Sequence, residues 1–261
     1  MPVHVNILST TINTYSLCIV IAVMTGVAWA LATARDAWRT FSTTLNALVI
    51  GAVATFVIGR AGYVLLNLTY FQEHPSEIVS TASPGLWEQA AIAGWLLGWL
   101  VAHRLRQDTP AMNYVVLATL AGIGASIGCV ALGCGYGREV YWTDGWPWQL
   151  RVDWPDAYLI NNPRLPAQDF MIVWLAICLV AVWVATARHW RIARAGRALL
   201  LWALLFSIGD FALQFIRADA VPVLGPLRAP QWADIALAAG CGIALGGSVL
   251  SCHNNSPRRF M

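Results

Sequence analysis

Ile58-Gly59-Arg60-Ala61-Gly62-Tyr63-Val64-Leu65-Leu66-Asn67 is the stretch whose reading decides the fold. It lies inside an apolar run over residues 45–68, long enough for a membrane helix. An arginine in such a run costs about 2.5–3.5 kcal/mol on insertion scales. Arg60 therefore faces a carboxylate, a phosphate or a wet cavity, or else it snorkels to the interface as a structural arginine. Gly59 and Gly62 leave small surfaces beside it, suited to close approach of a second helix or a lipid headgroup. The functional reading is an anion site in the outer half of a bilayer.

Working outward, the whole chain reads as an integral membrane protein. It has 261 residues, 58% hydrophobic and 11% charged, against about 25% charged in soluble domains. Further apolar runs cover residues 15–34, 86–102, 114–132, 170–187, 198–215 and 233–249. With residues 45–68 they predict an all-α membrane protein, a seven-transmembrane-helix bundle. All sixteen basic residues are arginine. Arg35, Arg39, Arg104, Arg106, Arg188, Arg191, Arg194, Arg197, Arg258 and Arg259 fall in alternate loops. By the positive-inside rule that side is cytoplasmic, so the N-terminus is outside and the C-terminus cytoplasmic. Fourteen tryptophans suit the two membrane interfaces; Trp142, Trp146, Trp148 and Trp154 crowd one long outer loop. The sequence shows no internal repeat and no linker, so residues 1–261 are expected to form a single polytopic domain. No basic n-region predicts a removable signal peptide. No basic-aromatic surface suggests nucleic acid, and no ligand set suggests a metal.

Polar residues within the spans converge at one depth, on the outer side. Tyr15 opens span one. Arg60, Tyr63 and Asn67 lie at i, i+3 and i+7 of span two, on one helical face. Glu88 and Gln89 open span three, Ser126, Cys129 and Cys134 come late in span four, and Gln168 and Asp169 open span five. Asp210, Gln214 and Arg217 lie at i, i+4 and i+7 of span six, again on one helical face. Two polar faces at one depth predict a shared, partly wet cavity; the alternative is helix-to-helix hydrogen bonding alone. The spacing of Cys129 and Cys134 puts their side chains on different faces of one helix, which argues against a disulfide.

Several stretches resemble the prolipoprotein diacylglyceryl transferase family, seven-span bacterial enzymes. They are Gly59-Arg60-Ala61-Gly62-Tyr63 with Asn67, His74-Pro75-Ser76-Glu77-Ile78, Gly133-Cys134-Gly135-Tyr136-Gly137-Arg138, Pro163-Arg164-Leu165-Pro166-Ala167-Gln168, and Gln214-Phe215-Ile216-Arg217 with Asp219. Tyr15 stands where the family has a functional tyrosine. The resemblance implies a multi-pass protein of the bacterial cytoplasmic (inner) membrane. It also implies transfer of the diacylglyceryl group of phosphatidylglycerol to a lipobox cysteine, with release of glycerol phosphate. That chemistry needs a thiolate, a base near the thiol and cations on the leaving phosphate.

The chain departs from the family at those places. Gln89 and Leu165 stand where the family has histidines, Ser126 and Asp210 where it has arginines, Cys129 where it has an asparagine, and Cys134 and Gln214 where it has glutamates. What remains for lipid or headgroup binding is Tyr15, Arg60, Tyr63, Asn67, Gly137, Arg164, Gln168 and Arg217. The expected function is a catalytically degenerate family member with an outer-leaflet cavity, binding a lipid or hydrophobic ligand or serving as a subunit of a larger membrane complex. The alternative is an active diacylglyceryl transferase. No catalytic residue is assigned. No cofactor is expected beyond a bound phospholipid such as phosphatidylglycerol, and the expected partners are membrane lipids and other membrane-protein subunits. Arg60 and Asp210 are expected to pair, with Arg217 as the competing partner of Asp210.

Overall fold

The computed structural model describes residues 4–7, 10–33, 38–79, 85–105, 107, 110–141, 145, 148–188 and 196–254. Arg35, Arg106, Arg191, Arg194, Arg258, Arg259, Trp142 and Trp146 lie outside the described residues, as do the side chains of Arg39 and Trp148.

A short antiparallel hairpin, β1 (His4–Ile7) and β2 (Thr10–Asn13), precedes the helices; the sequence reading expected only a polar N-terminal segment here. Asn13 then caps α1 (Thr14–Ala32), its side-chain oxygen accepting the Tyr15 N–H at 2.9 Å. α2 (Trp38–Leu66) is longer than its apolar run. It stops where Asn67 turns its amide back onto the Tyr63 carbonyl, 2.9 Å away. The short helix α3 (Leu68–Glu73) and a 3-10 turn over Pro75–Val79 follow. Then come α4 (Glu88–Arg104), α5 (Ala111–Leu132), α6 (Ala167–Arg188) and α7 (Arg197–Leu213). A two-residue hairpin, β3 (Val223–Leu224) and β4 (Leu227–Arg228), leads into α8 (Ala229–Asn254).

Thr14–Ala32, Phe41–Leu66, Ala111–Leu132 and Ala167–Arg188 are long and apolar enough to cross a membrane. α4 and α7, at 17 residues each, and α8 pack with them. α2 lies along α4, α1 along α5 and α7 along α8, while α5, α6 and α7 join these pairs. Bulk fills the centre: Tyr114, Val115, Leu175, Val182, Leu199, Trp202 and Phe206 are fully buried. Tyr114 donates its hydroxyl to the Ala47 carbonyl, and the Trp95 indole N–H donates to the Tyr114 carbonyl at 3.1 Å. These two bonds tie α2, α4 and α5 together at one level. The outward faces are apolar as well; Val49, Val53, Phe56 and Val57 on α2 and Val173, Ile177 and Val180 on α6 are exposed. Helices apolar on every side belong in lipid.

Small residues set the α2–α4 distance. A Cβ on Gly98 would come within 2.6 Å of the Gly51 Cα, and one on Gly94 within 2.5 Å of the Ala54 carbonyl. Both neighbours are backbone and cannot swing aside. Overpacking of this kind costs about 1–3 kcal/mol. Gly94→Leu is expected to lower the thermal midpoint of the detergent-solubilised protein by several degrees. Gly240→Leu, where an added Cβ meets nothing, is the control that should leave the midpoint unchanged.

Candidate functional site

The C-terminal ends of α2, α5 and α7 and the N-terminal ends of α1, α4, α6 and α8 meet at one end of the bundle. The sequence places its polar groups there. Asp210, one turn before the end of α7, is completely buried. Gln89 of α4 donates its amide to Asp210 Oδ2 at 2.7 Å, and Gln214, one turn on, donates to the same oxygen at 3.2 Å. The Arg217 guanidinium stands 3.8 Å from Asp210 Oδ1. Its closer contacts are to Asp219, at 3.1 and 3.3 Å. Arg228 of β4 completes the group, 3.2 Å from Asp219 Oδ1 and 3.0 Å from the Gln214 carbonyl. Burial pushes the Asp219 carboxyl up, but the adjoining Arg217 and Arg228 outweigh it and hold the carboxyl below its ordinary range.

Two further carboxyls face this group. Asp234, in the second turn of α8, is 1% exposed and lies against Asp210 and Gln89. Neither of its oxygens has a well-formed hydrogen bond among the described residues. Glu88, beside Gln89, is within electrostatic reach of Asp210, Arg217, Asp219 and Tyr15.

A second network sits in the segment between α5 and α6. Arg164, 4% exposed, pairs with Glu139 at 2.9 Å and Asp156 at 3.0 Å, and its guanidinium lies 4.8 Å from the Tyr136 ring centre. The Asp156 carboxyl is held low by the backbone N–H of Ile160, assisted by that of Tyr158 and by Arg164. Glu139 is held low by Asn162 and Tyr141, assisted by Arg164. Gln168 donates to the carbonyls of Cys134 and Gly135 at 3.1 and 3.0 Å. Gly137 pairs with Arg217 in an antiparallel bridge, which joins the two networks.

The structure corrects the reading of the cysteines. Cys129 and Cys134 form a disulfide, with Cα atoms 4.7 Å apart. The helix-face objection fails because α5 ends at Leu132 and Gly133 takes a left-handed conformation, φ 67°. The Cys134 N–H returns to the Cys129 carbonyl at 3.0 Å. A Cβ at Gly133 would also collide with the Asp156 carbonyl, so glycine is required here for two reasons.

The Arg60–Asp210 pair is also corrected: no ion pair joins these side chains. Arg60, 8% exposed, donates to the carbonyls of Glu77, Ile78 and Gly85, at 2.5, 2.9 and 3.1 Å. Its guanidinium also lies over the rings of Tyr63 and Phe71. Loop carbonyls thus satisfy the charge, and Arg217 is the cation that meets Asp210. Of the other expected residues, Gln89, Asp210, Gln214 and Arg217 converge, and Arg164, Gln168, Gly137 and Cys134 form the second network. Tyr15 packs on Gly128. Asn67 serves to end α2. Leu165 is 2% exposed and Ser126 is 5% exposed. Glu139, Asp156, Arg228 and Asp234 were missed; only Asp234, a charge opening an apolar run, carried a local signal.

Chemically, this end of the bundle is a set of guanidiniums matched internally by carboxylates. Arg164 faces Glu139 and Asp156, while Arg217 faces Asp210 and Asp219. Such a site holds polar groups in the bilayer by mutual pairing.

A helical, multi-pass membrane protein with a buried polar cluster at one end is the class that fold and site define. The sequence profile of prolipoprotein diacylglyceryl transferase matches residues 2–245. Relatives named phosphatidylglycerol–prolipoprotein diacylglyceryl transferase include one from Thermosynechococcus vestitus, 27% identical over 241 residues, covering 88% of this chain and 86% of that protein. One from a Nostoc species is 26% identical over 255 residues, covering 94% and 86%. One from Clostridium perfringens is 26% identical over 207 residues, covering 77% and 76%. The chain belongs to the prolipoprotein diacylglyceryl transferase family.

The second network predicts acid sensitivity. Because the folded-state values of Asp156 and Glu139 are lowered, their stabilisation is fully present above the ordinary carboxylate range and is lost as pH falls through the lowered values. The contribution of this network to the thermal midpoint should be constant between about pH 7 and 5 and should be lost below about pH 4. Asp156→Asn should lower the midpoint at neutral pH and make the fall below about pH 4 shallower. An unchanged pH profile in the variant would show that the network does not govern acid stability.

Proposed function

We propose that this chain is a single-domain, seven-span family member, N-terminus outside and C-terminus cytoplasmic, that has lost transferase chemistry and keeps an outer-leaflet recess for an amphiphilic ligand. The observation that carries the reading is Asp210, buried at the centre of the recess where the resemblance places an arginine. A carboxylate there repels the phosphate that an arginine attracts. Of the retained guanidiniums, Arg164 and Arg217 are each engaged by two carboxylates, and Arg60 is engaged by loop carbonyls. Gln89 cannot take a proton near neutral pH, so the position where the family has a histidine supplies no base.

Ligand binding is supported by an apolar groove between α4, α7 and α8. Ala90, Ala93, Leu96, Leu200, Ala236 and Leu237 line it, and Gln89 lies at its polar end. The groove is shaped for an alkyl chain, with its head at the recess. Arg60 and Asn67 hold the adjoining loop and helix end. Orientation rests on the arginines and on the disulfide, since Cys129–Cys134 requires an oxidising compartment at the recess end. A second reading, an active transferase, is favoured by the names of the relatives.

Two outcomes test the proposal. Expression in a strain depleted of its own transferase should not restore growth or thioether formation on a lipobox peptide; restoration of either would establish the active reading. A reporter fused after Met261 should be active only in the cytoplasm, and periplasmic activity would overturn the seven-span topology.

A further inference from the structure

We propose that the Tyr158-Leu159-Ile160 tip is a membrane anchor, an apolar turn seated in the headgroup layer of the leaflet at the polar end of the bundle, beside α6. This goes beyond the ligand-binding reading and does not rest on it, nor on which side of the membrane that end lies.

The inference starts from a backbone conformation that leucine does not favour. Leu159 has φ 61° and is the one non-glycine residue with positive φ among the described residues. Glycine and asparagine adopt this left-handed region with least strain. Packing does not offset the strain, since the Leu159 side chain is 51% exposed, with Tyr158 at 82% and Ile160 at 53% on either side. The turn is nevertheless firmly built. The Asp156 carboxylate accepts the N–H groups of Tyr158 and Ile160 at 2.8 and 3.0 Å, and the Asp156 carbonyl accepts that of Leu159 at 2.8 Å. Asp156 is itself paired with Arg164. Three neighbouring side chains are thus held outward on a fixed base, and residues 157–163 carry no formal charge.

The second observation is depth. The Asp156 carbonyl that holds Leu159 is the group that a Cβ on Gly133 would strike, so the tip rests against the end of α5. α5 has 22 residues, a length of about 33 Å, which matches a hydrocarbon core of about 30 Å. Its end therefore lies at the edge of the hydrocarbon, and the headgroup layer beyond is about 5–8 Å deep. The base of the tip is tied to a second span as well: Trp154 donates its indole N–H to Asp169, in the first turn of α6, at 2.9 Å. α6 turns Val173 and Ile177 outward, so the tip continues a lipid-facing surface. A tyrosine with aliphatic neighbours suits this layer, because its ring sits among the headgroups while the aliphatic side chains reach the acyl boundary. A polypeptide partner fits less well, since the tip offers neither charge nor groove for recognising one.

The test uses the full chain in phosphatidylcholine nanodiscs, with Cys18, Cys178, Cys241 and Cys252 changed to alanine, the disulfide kept, and a spin label attached through Leu159→Cys. Labels attached through Asp153→Cys, exposed in the same segment, and Ile177→Cys, on the outward face of α6, are the aqueous and lipid references. Collisions with a water-soluble nickel chelate should be about fivefold fewer at position 159 than at position 153, while collisions with oxygen should approach those at position 177. Should the alanine background fail to fold, benzoylphenylalanine in place of Tyr158 in the otherwise native chain decides; on irradiation it should add the mass of a phosphatidylcholine. Nickel access equal to that at position 153, or a failure to crosslink lipid, overturns the anchor. Shielding from both nickel and oxygen overturns it by showing the tip buried in protein. Shielding that develops only when a lipobox peptide is added overturns it in favour of a polypeptide partner.

Discussion

The constraint on which the rest of this structure depends is the neutralisation of charge inside a low-dielectric bundle. An isolated ion in such a place is unfavourable by several kcal/mol even after relaxation. Each buried cation here has its own answer. Arg60 is satisfied by three loop carbonyls and two aromatic faces. Arg164 is satisfied by two carboxylates and Tyr136. Arg217 is satisfied by Asp210 and Asp219. These answers fix structure as well as charge. Arg60 holds the segment between α3 and α4 against α2, and Arg164 closes the long connection between α5 and α6 upon itself. Arg217 joins the end of α7 to Gly137 in the α5–α6 connection.

Helix packing brings these groups to one level. The Tyr114 and Trp95 hydrogen bonds and the Gly94–Ala54 and Gly98–Gly51 approaches lock α4 to α2 and α5. With α4 so placed, Gln89 reaches α7 and is bonded to Asp210. α8 then follows from the turn before it: Arg228 is tied to Asp219 and Gln214, and Gln231 accepts the Arg228 N–H at 2.9 Å. That anchoring delivers Asp234 to Asp210 three residues later. Asp210 is thus met by α4 and α8 through contacts that the packing of the bundle sets.

Much of this was legible in the sequence, and the misses share a cause. The apolar runs predicted every long helix within a few residues at most ends, because burial in lipid and hydrophobic periodicity act locally. The convergence of Gln89, Asp210, Gln214 and Arg217 was legible for the same reason: charges in apolar runs must meet something at their own depth. Partner choice was not legible. Arg60 looked like the partner of Asp210 because both share a depth, but depth says nothing about azimuth around the bundle. The nearby loop supplied carbonyls that no pattern advertises. The disulfide was missed by assuming that α5 continues through Cys134; Gly133, a left-handed cap, was the signal that it ends. Glu139 and Asp156 lie in an irregular segment, where spacing carries no geometric rule.

Gln89 shows how one position can decide the character of the polar cluster. Its amide is the shortest hydrogen bond that Asp210 receives, at 2.7 Å. An ionisable base at that position would compete with Arg217 for the same carboxylate and would itself be held charged by it. It could not then accept a proton from a thiol near neutral pH. A neutral amide beside Asp210 is thus the consistent partner of a carboxylate.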